Sequence, residues 1–269
     1  MHENVTRSLS GGVYVIILIA ATLFSQTSCL MLFGTFLFIG TVEFCDLVNL
    51  KKTKAIAIAA ILFFLFSFFD VTATTKALLT IATLYISIKL MVMLFNKSNF
   101  KVDAISKYVY LIGYIILPII ILTKIPFYNN LFEPKMLIAI FILIWVNDTF
   151  AYITGKSFGK HKLFLSISPK KTVEGFVGGI LFSLITCYFL NNFLLPEPFY
   201  FWASIAIIIG FFGSIGDLIE SKFKRLAGVK DSGTIMPGHG GVLDRLDSAI
   251  FAAPFIFLFL QIFQYYIYA

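Results

Sequence analysis

Apolar residues fill almost the whole chain in long blocks, and short polar breaks separate one block from the next. A membrane-spanning helix needs about 20 largely apolar residues, with a range of roughly 17 to 25. Nine blocks reach or approach that length, at approximately residues 11–26, 29–48, 55–70, 76–95, 105–123, 136–154, 174–194, 200–217 and 248–267. The pattern predicts an all-α integral membrane protein, a polytopic bundle of about nine transmembrane helices.

The composition agrees with this prediction. Hydrophobic residues make up 59% of the chain and charged residues only 13%, against about 25% charged residues in average soluble domains. Cys29, Cys45 and Cys187 all lie in apolar blocks, so we expect small packing residues and no disulfide framework. The first block has the length of a signal peptide but no small-residue cleavage site follows it, and we expect a retained helix.

Basic residues are distributed unevenly between the two sides of the predicted bundle. Most of the 21 lysines and arginines follow spans two, four, six and eight. The positive-inside rule therefore predicts that these loops and the N-terminus are cytoplasmic. Anionic lipid headgroups account for much of the net charge of +7. We expect no nucleic-acid partner, because the sequence offers no soluble basic domain.

Two long polar segments lie on the predicted cytoplasmic side, and the other loops are short. The first, NDTFAYITGKSFGKHKLFLSISPKKTVEG, runs from Asn147 to Gly175, and the second, GDLIESKFKRLAGVKDSGTIMPGHGGVLDRLDS, runs from Gly216 to Ser248. Two elaborated cytoplasmic loops on one face of a helix bundle predict a site that is reached from the cytoplasm.

The second segment contains two acidic pairs with helical spacing. Asp217 and Glu220 lie where span eight ends, and Asp244 and Asp247 lie where span nine begins. Residues three apart share a helical face, and the glycine-rich turn MPGHGG brings the chain back. Carboxylates that meet at one membrane depth repel each other and are costly to desolvate. A divalent cation relieves both costs, and oxygen ligands favour Mg²⁺ over Zn²⁺.

Basic residues alternate with these acids, which suits a metal-bound polyphosphate. Carboxylates would hold the ion, while cations and glycine N–H groups would bind phosphate oxygens. The alternative is a solvated connector with surface ion pairs, each worth about 0–1 kcal/mol. The placement of both acidic pairs at helix ends favours the site. His239 is either a proton-transfer residue or part of the turn.

The first segment and two isolated positions leave alternatives open. Asp148 is either an interfacial cap or a member of the site. Ser168 and Thr172 either bind phosphate or cap the helix of span seven. Glu43 and Asp46, near the end of span two, are either interfacial or join the site. Lys89 is expected to snorkel.

The stretch from Ser221 to Asp247, SKFKRLAGVKDSGTIMPGHGGVLDRLD, resembles the signature of the phosphatidate cytidylyltransferases, also called CDP-diacylglycerol synthases. That signature runs through Ser, Lys-Arg, Lys-Asp, Pro, His-Gly-Gly, Asp-Arg and a final Asp, and every fixed position is filled. NDTFAYITGKSFGKHK and SISPKKTVEG are similar to a second conserved stretch of the family. The resemblance covers residues 136–269 in detail and matches the rest in length and span number.

The resemblance implies an Mg²⁺-dependent nucleotidyltransferase of phospholipid biosynthesis, which transfers CMP from CTP to phosphatidic acid and releases pyrophosphate. It implies that Asp217 and Asp244 are the metal ligands, with a monovalent cation such as K⁺ as a candidate companion. The catalytic candidates are Asp217, Asp244, Asp247, Lys224 and Arg225. The candidates for binding CTP or lipid phosphate are Lys222, Lys230, Asp231, His239, Gly240, Gly241, Arg245, Asp148, Ser168, Lys170, Lys171 and Thr172.

The resemblance also predicts the organisation of the protein. We expect a homodimer in a bacterial plasma (inner) membrane, with membrane lipids as further partners. Residues 1–125 would provide packing, a lipid groove or an oligomer interface. Residues 126–269 would form the catalytic region, with its site on the cytoplasmic side.

Four other protein classes share parts of this pattern but fit it less well. A CTP-dependent polyprenol or dolichol kinase has a less complete form of this signature. CDP-alcohol phosphotransferases space their aspartates four apart, and membrane prenyltransferases carry a second acid where NDTFA has none. A cation transporter places carboxylates near the bilayer midplane. Here the acids cluster with five basic residues at one membrane face, which suits an anionic substrate better.

Overall fold

The computed structural model of the chain describes residues 2–69, 71–95, 103–127, 131–165, 167–195, 197–238 and 240–268. The first half of the bundle contains helices α1 (His2–Phe24), α2 (Gln26–Val48), α3 (Lys52–Phe63), α4 (Ala73–Phe95), α5 (Ala104–Tyr110) and α6 (Leu117–Lys124). The second half contains α7 (Pro134–Phe158), α8 (Val173–Phe193), α9 (Phe199–Ile208), α10 (Ser214–Leu226) and α11 (Leu243–Tyr268).

Several of these helices join end to end into longer rods. Turns of π-helix follow α3 at Phe64–Phe68, connect α5 to α6 at Leu111–Ile116, and connect α9 to α10 at Ile209–Gly213. In the described residues, seven helical segments are long and apolar enough to cross a membrane. The first helix has a shorter apolar stretch, Leu9–Phe24. The predicted all-α polytopic membrane bundle is therefore confirmed.

The helices extend further into the polar segments than hydropathy indicates. α7 continues to Phe158 and α10 continues to Leu226, whereas the predicted spans end at 154 and 217. The added residues of α10 are good helix formers, and Lys224 and Arg225 lie in its last turn, where positive charge is favourable. The first acidic pair therefore lies inside a helix and not in a loop.

The first polar segment forms a small antiparallel hairpin after α7. Strand β1 (Lys162–Phe164) pairs with strand β2 (Ser168–Thr172), which leads directly into α8. Thr172 is the N-cap of α8, because its hydroxyl accepts a hydrogen bond from the amide of Gly175 at 3.1 Å. The hairpin is thereby held against the start of α8.

Helices α7 and α8 pack very closely below this hairpin. A β-carbon at Gly175 would lie 2.6 Å from the carbonyl oxygen of Ala151, and one at Gly179 would lie 2.7 Å from that of Asn147. Only glycine permits this approach. The contact brings the polar end of α7 beside the hairpin.

Polar contacts connect several helices to other parts of the bundle. Lys107 Nζ donates to the carbonyl oxygen of Asn49 at 3.3 Å, and Lys222 Nζ donates to the carbonyl oxygen of Met93. The hydroxyl of Ser10 donates to the carbonyl oxygen of Pro237 at 3.0 Å. These contacts connect the end of α2 to α5, the end of α4 to α10, and the first half of α1 to the turn before α11. The membrane side of the basic loops and of the N-terminus stays a prediction.

An aromatic cluster attaches α10 to the first half of the chain. Phe223 is buried and its ring centroid lies 5.3 Å from that of Phe44, 6.1 Å from that of Tyr110 and 5.9 Å from that of Tyr114. Aromatic pairs at such distances contribute beyond their buried area. The helix that carries Asp217 and Glu220 is therefore fixed by helices of the N-terminal region.

Candidate active site

A cavity of 740 Å³ lies where α7, the hairpin, α8, α10 and α11 meet. Its acidic lining residues are Asp148, Asp217, Asp244 and Asp247. Its basic lining residues are Lys156, Lys162, Lys170, Lys171 and Arg245. A cavity with both charges in its wall can hold an anion together with a cation.

Three carboxylates from two helices converge at the wall of this cavity and beside it. Asp217 and Glu220 of α10 and Asp247 of α11 each place a carboxylate oxygen so that all three oxygens lie within 4.8 Å of one another. Glu220 is 2% exposed. Within the described part of the chain, no group donates a hydrogen bond to Glu220 Oε1. A buried carboxylate oxygen without a donor is costly unless a cation satisfies it.

Lys171 of β2 reaches across the cavity to α10. Its Nζ lies 2.5 Å from Asp217 Oδ2 and also donates to the carbonyl oxygen of Ser214 at 3.4 Å. The hydroxyl of Ser221 donates to Asp217 Oδ1 at 3.2 Å. Asp217 is thus oriented from both sides, by the hairpin and by its own helix.

Lys224 joins the two acidic pairs. Its Nζ lies 2.6 Å from Glu220 Oε2 and 2.5 Å from Asp244 Oδ1, and its side chain is only 10% exposed. A buried ammonium with two carboxylate partners recovers part of the cost of removing all three charges from water. Lys224 therefore links α10 to α11 and fixes Glu220.

Asp244 is enclosed by donors on its other oxygen. Asp244 Oδ2 accepts hydrogen bonds from the amide of Ser232 at 2.9 Å, from its hydroxyl at 2.9 Å and from the amide of Gly241 at 2.7 Å. Asp217 and Asp244 were predicted as the metal ligands. Asp217 belongs to the three-carboxylate cluster, whereas Asp244 is held by Lys224 and the turn.

The turn before α11 depends on glycine conformations. Gly238 and Gly240 have φ of 73° and 90°, which side-chain-bearing residues rarely adopt. The amides and carbonyls of Met236 and Gly240 exchange hydrogen bonds of 2.9 Å and 3.1 Å. His239 lies outside the described residues, so its predicted alternatives stay open.

Glu43 of α2 also belongs to this site. It is 4% exposed, and its carboxylate accepts hydrogen bonds from the amides of Val242 and Leu243 at 2.9 Å and 2.8 Å. Asp46 instead pairs with Lys52 at 2.7 Å in an exposed position. Of the two acids left open by the sequence, Glu43 joins the site and Asp46 stays at the surface.

The predicted site residues fall into two groups. Those that line the cavity are Asp148, Lys170, Lys171, Thr172, Asp217, Asp244, Arg245 and Asp247. Those outside its lining are Ser168, Lys222, Lys224, Arg225, Lys230, Asp231, Gly240 and Gly241. Arg225 donates to the carbonyl oxygen of Val229 at 2.9 Å, and Lys230 and Asp231 are exposed. The roles of both groups stay predictions.

Some members of the site were not predicted from the sequence. Glu43 was left undecided, and Glu220 was not chosen as a ligand. Asn147 lines the cavity and is 3% exposed, but its amide carries no chemical signature. An acid inside an apolar span is the one signal that pointed to Glu43, because such residues are rare without a partner.

The local charge around the acidic cluster favours a bound cation. Five carboxylates, of Asp148, Asp217, Glu220, Asp244 and Asp247, lie in the cavity wall or in the cluster beside it. Asp148 is close enough to interact electrostatically with Asp217 and Asp247. The lysines paired with this group are Lys171 and Lys224. The other basic lining residues, Lys156, Lys162, Lys170 and Arg245, offset the acids over the cavity as a whole. The local excess of negative charge at the carboxylate cluster is therefore what would attract a hard cation.

Comparison with known proteins identifies relatives along nearly the whole chain. The family described as the Cytidylyltransferase family matches residues 5–263. A phosphatidate cytidylyltransferase of Bacillus subtilis strain 168 is 34% identical over 242 residues, which cover 84% of this chain and 87% of the relative. A phosphatidate cytidylyltransferase of Staphylococcus saprophyticus is 52% identical over 117 residues, which cover 43% of this chain and 45% of the relative.

Proposed function

The chain belongs to the cytidylyltransferase family, and from this premise we propose that it transfers CMP from CTP to phosphatidic acid. The products are CDP-diacylglycerol and pyrophosphate. The observation that carries the proposal is a cavity whose wall contains five basic side chains together with Asp217 and Asp247, two members of the three-carboxylate cluster. That combination accommodates a polyphosphate and its counter-ion at a membrane surface.

The basic wall is the site for the triphosphate of CTP. Lys156, Lys162, Lys170, Lys171 and Arg245 line the cavity. Lysines bind phosphate as point charges, while arginine offers a planar fork of donors that matches two phosphate oxygens. Lys171 is already paired with Asp217. A bound phosphate would therefore share the ammonium group of Lys171 with the Asp217 carboxylate.

The reaction needs alignment more than proton transfer. A phosphate oxygen of phosphatidic acid forms a bond to the α-phosphorus of CTP. The bond between that phosphorus and the bridging oxygen to the β-phosphorus breaks, and its electron pair leaves with pyrophosphate. The attacking phosphate monoester is already anionic at neutral pH, so no strong base is required. Positioning and charge neutralisation are the main contributions of a protein to such transfers.

The residues present fit Mg²⁺. Asp217, Glu220 and Asp247 offer convergent carboxylate oxygens, and the unpartnered Glu220 Oε1 is the buried acceptor that a hard cation satisfies. When bound, Mg²⁺ supplies charge neutralisation for the phosphoryl oxygens and the leaving group. Lys224 holds the other Glu220 oxygen and so fixes the direction of this ligand. Asp244 and a companion K⁺ remain further candidates.

The location of the cavity suits two substrates that arrive from different phases. Basic residues of the hairpin line the cavity, and we assign this end of the bundle to the cytoplasm by the positive-inside rule. CTP reaches it from water, while the phosphate of phosphatidic acid lies at headgroup depth and its acyl chains stay in the bilayer. We further propose a homodimer in a bacterial inner membrane.

A reconstituted assay tests this function. Purified protein in detergent is mixed with cytidine-labelled CTP, phosphatidic acid and Mg²⁺, and the lipid extract is analysed for label. We expect labelled CDP-diacylglycerol with an equal amount of pyrophosphate. Polyprenol in place of phosphatidic acid serves as the matched control, because a CTP-dependent kinase would phosphorylate it and leave no cytidine in the lipid. Label-free lipid in the phosphatidic acid reaction would contradict the proposal.

A further inference from the structure

Glu43 lies on α2, in the first half of the chain, yet its carboxylate is buried against the turn that precedes α11. Glu43 Oε1 accepts from the amide of Val242, and Oε2 accepts from the amide of Leu243. These are the amides at the start of α11, whose N–H groups have no partner within the helix. An anion at that position is favoured by the helix dipole. The Ser232 hydroxyl, which has one proton to donate, lies 3.2 Å from Oε2.

The surroundings of Glu43 leave room for a carboxylate and little else. A β-carbon added at Gly233 would lie 2.5 Å from Glu43 Oε1, and one added at Gly241 would lie 2.6 Å from each carboxylate oxygen. Real β-carbons do not approach so closely, so glycine is required at both positions. The turn can therefore close around the Glu43 carboxylate only with glycine at both positions.

Ser232 connects Glu43 to Asp244. Its hydroxyl lies 3.2 Å from Glu43 Oε2 and 2.9 Å from Asp244 Oδ2. Three consecutive amides complete the arrangement, because Gly241 donates to Asp244 while Val242 and Leu243 donate to Glu43. Two carboxylates from different helices therefore share one serine and one run of backbone. Movement of Glu43 would shift Asp244 and, with it, Lys224.

We propose that Glu43 is a positioning residue for the transfer reaction: through Ser232 and the first turn of α11 it fixes the orientation of Asp244 and Asp247 in the cavity. This role rests on the proposed function. The amides of Val242 and Leu243 each require an acceptor, and a carboxylate supplies one oxygen to each. A glutamine would turn an NH₂ group toward at least one donor.

Three variants test the role in the full-length protein. Glu43→Gln and Ser232→Ala each interrupt the connection, and Asp46→Asn removes an exposed acid one turn further along α2 as the matched control. Residues that orient metal-site groups typically change activity by about 10–100-fold when mutated. We expect Glu43→Gln and Ser232→Ala to lower kcat by that factor, with the KM for CTP changed less than about 3-fold. The control should match the wild type.

A double variant separates positioning from general stability. If both residues act through one connection, the losses will not add. The double variant Glu43→Gln with Ser232→Ala will then have the same kcat as the more impaired of the two single variants. Wild-type kcat in the folded fraction of either single variant, even with a lower midpoint of thermal unfolding, would overturn the role. Additive losses would overturn it as well. Should Glu43→Gln not fold, Ser232→Ala alone decides. Inactive wild-type protein would overturn the proposed function together with this role.

Discussion

Lys171, on the second strand of the hairpin, lies 2.5 Å from Asp217 of α10, a helix that begins at Ser214. The two side chains are 27% and 33% exposed, so the pair faces the cavity without being sealed from it. A cation at the cavity edge and an acid of the three-carboxylate cluster are thereby joined. The hairpin and α10 meet at the point where the proposed phosphate site and the proposed metal site adjoin.

Replacement of Lys171 by alanine should weaken catalysis more than it weakens the fold. Hydrogen bonds to charged groups contribute about 1.5–3 kcal/mol, and we therefore expect kcat/KM for CTP to fall by about 10–100-fold. Steady-state kinetics measure the change. Lys160→Ala is the control, since Lys160 is exposed and outside the cavity lining. Equal effects of both variants would show that only general charge matters.

Replacement of Lys224 by methionine should destabilise the protein. The substitution leaves Glu220 and Asp244 without their shared cation, and breaking a buried pair costs about 3–5 kcal/mol. Denaturant unfolding in detergent micelles, followed by tryptophan fluorescence, measures the loss. Lys52→Met interrupts the exposed pair with Asp46 and should cost about 0–1 kcal/mol. A loss for Lys224→Met as small as that of the control would contradict the buried double ion pair.

Replacement of Gly240 by alanine should reduce activity through a steric clash with the Asp244 carboxylate. A β-carbon there would lie 2.6 Å from Asp244 Oδ2, and φ is +90°. Gly228 is a matched control, because its φ is +72° and a β-carbon there meets nothing within 4 Å. Gly228→Ala should cost about 1–2 kcal/mol of stability through backbone strain alone. We expect only Gly240→Ala to lower kcat of the folded protein; equal kcat for both variants would contradict this account of the turn.

Cysteine labelling tests on which side of the membrane the hairpin lies. The three native cysteines are buried, so they give little background with a membrane-impermeant maleimide. A cysteine placed at the exposed Lys160 should react in inside-out vesicles and stay unlabelled in right-side-out vesicles. The reverse result would place the cavity on the outer face and contradict the assignment from basic residues.

Hydropathy predicted the bundle because each span must bury its backbone polar groups in a helix of fixed minimum length. It placed the helix ends less well. Lys222, Lys224 and Arg225 lower the mean hydropathy after Asp217 but favour a helical backbone, so α10 continues where the apolar block stops. The polarity of a residue indicates its depth in the membrane and says little about where its helix ends.

The candidate site was predicted in part. Spacing showed that Asp217 and Glu220 share a helical face, and the turn indicated that a second acidic pair would meet them. The family resemblance implied Asp217 and Asp244 as ligands. Spacing alone does not choose among the four acids, because the choice depends on which oxygens Lys224 and the amides of the turn already engage. The partners of Glu43 lie about 200 residues away along the chain, and the sequence shows only that an acid in an apolar span needs some partner.

The central claim is that Asp217, Glu220 and Asp247 hold one divalent ion. Mn²⁺ substitutes for Mg²⁺ and is counted directly by electron paramagnetic resonance, so titration of purified protein with Mn²⁺ tests the claim without any substrate. We predict one Mn²⁺ site per chain in the wild type and in Asp46→Asn, and its loss in Glu220→Gln and in Asp247→Asn. Wild-type Mn²⁺ affinity in Glu220→Gln, or no bound Mn²⁺ in the wild type, would contradict the account.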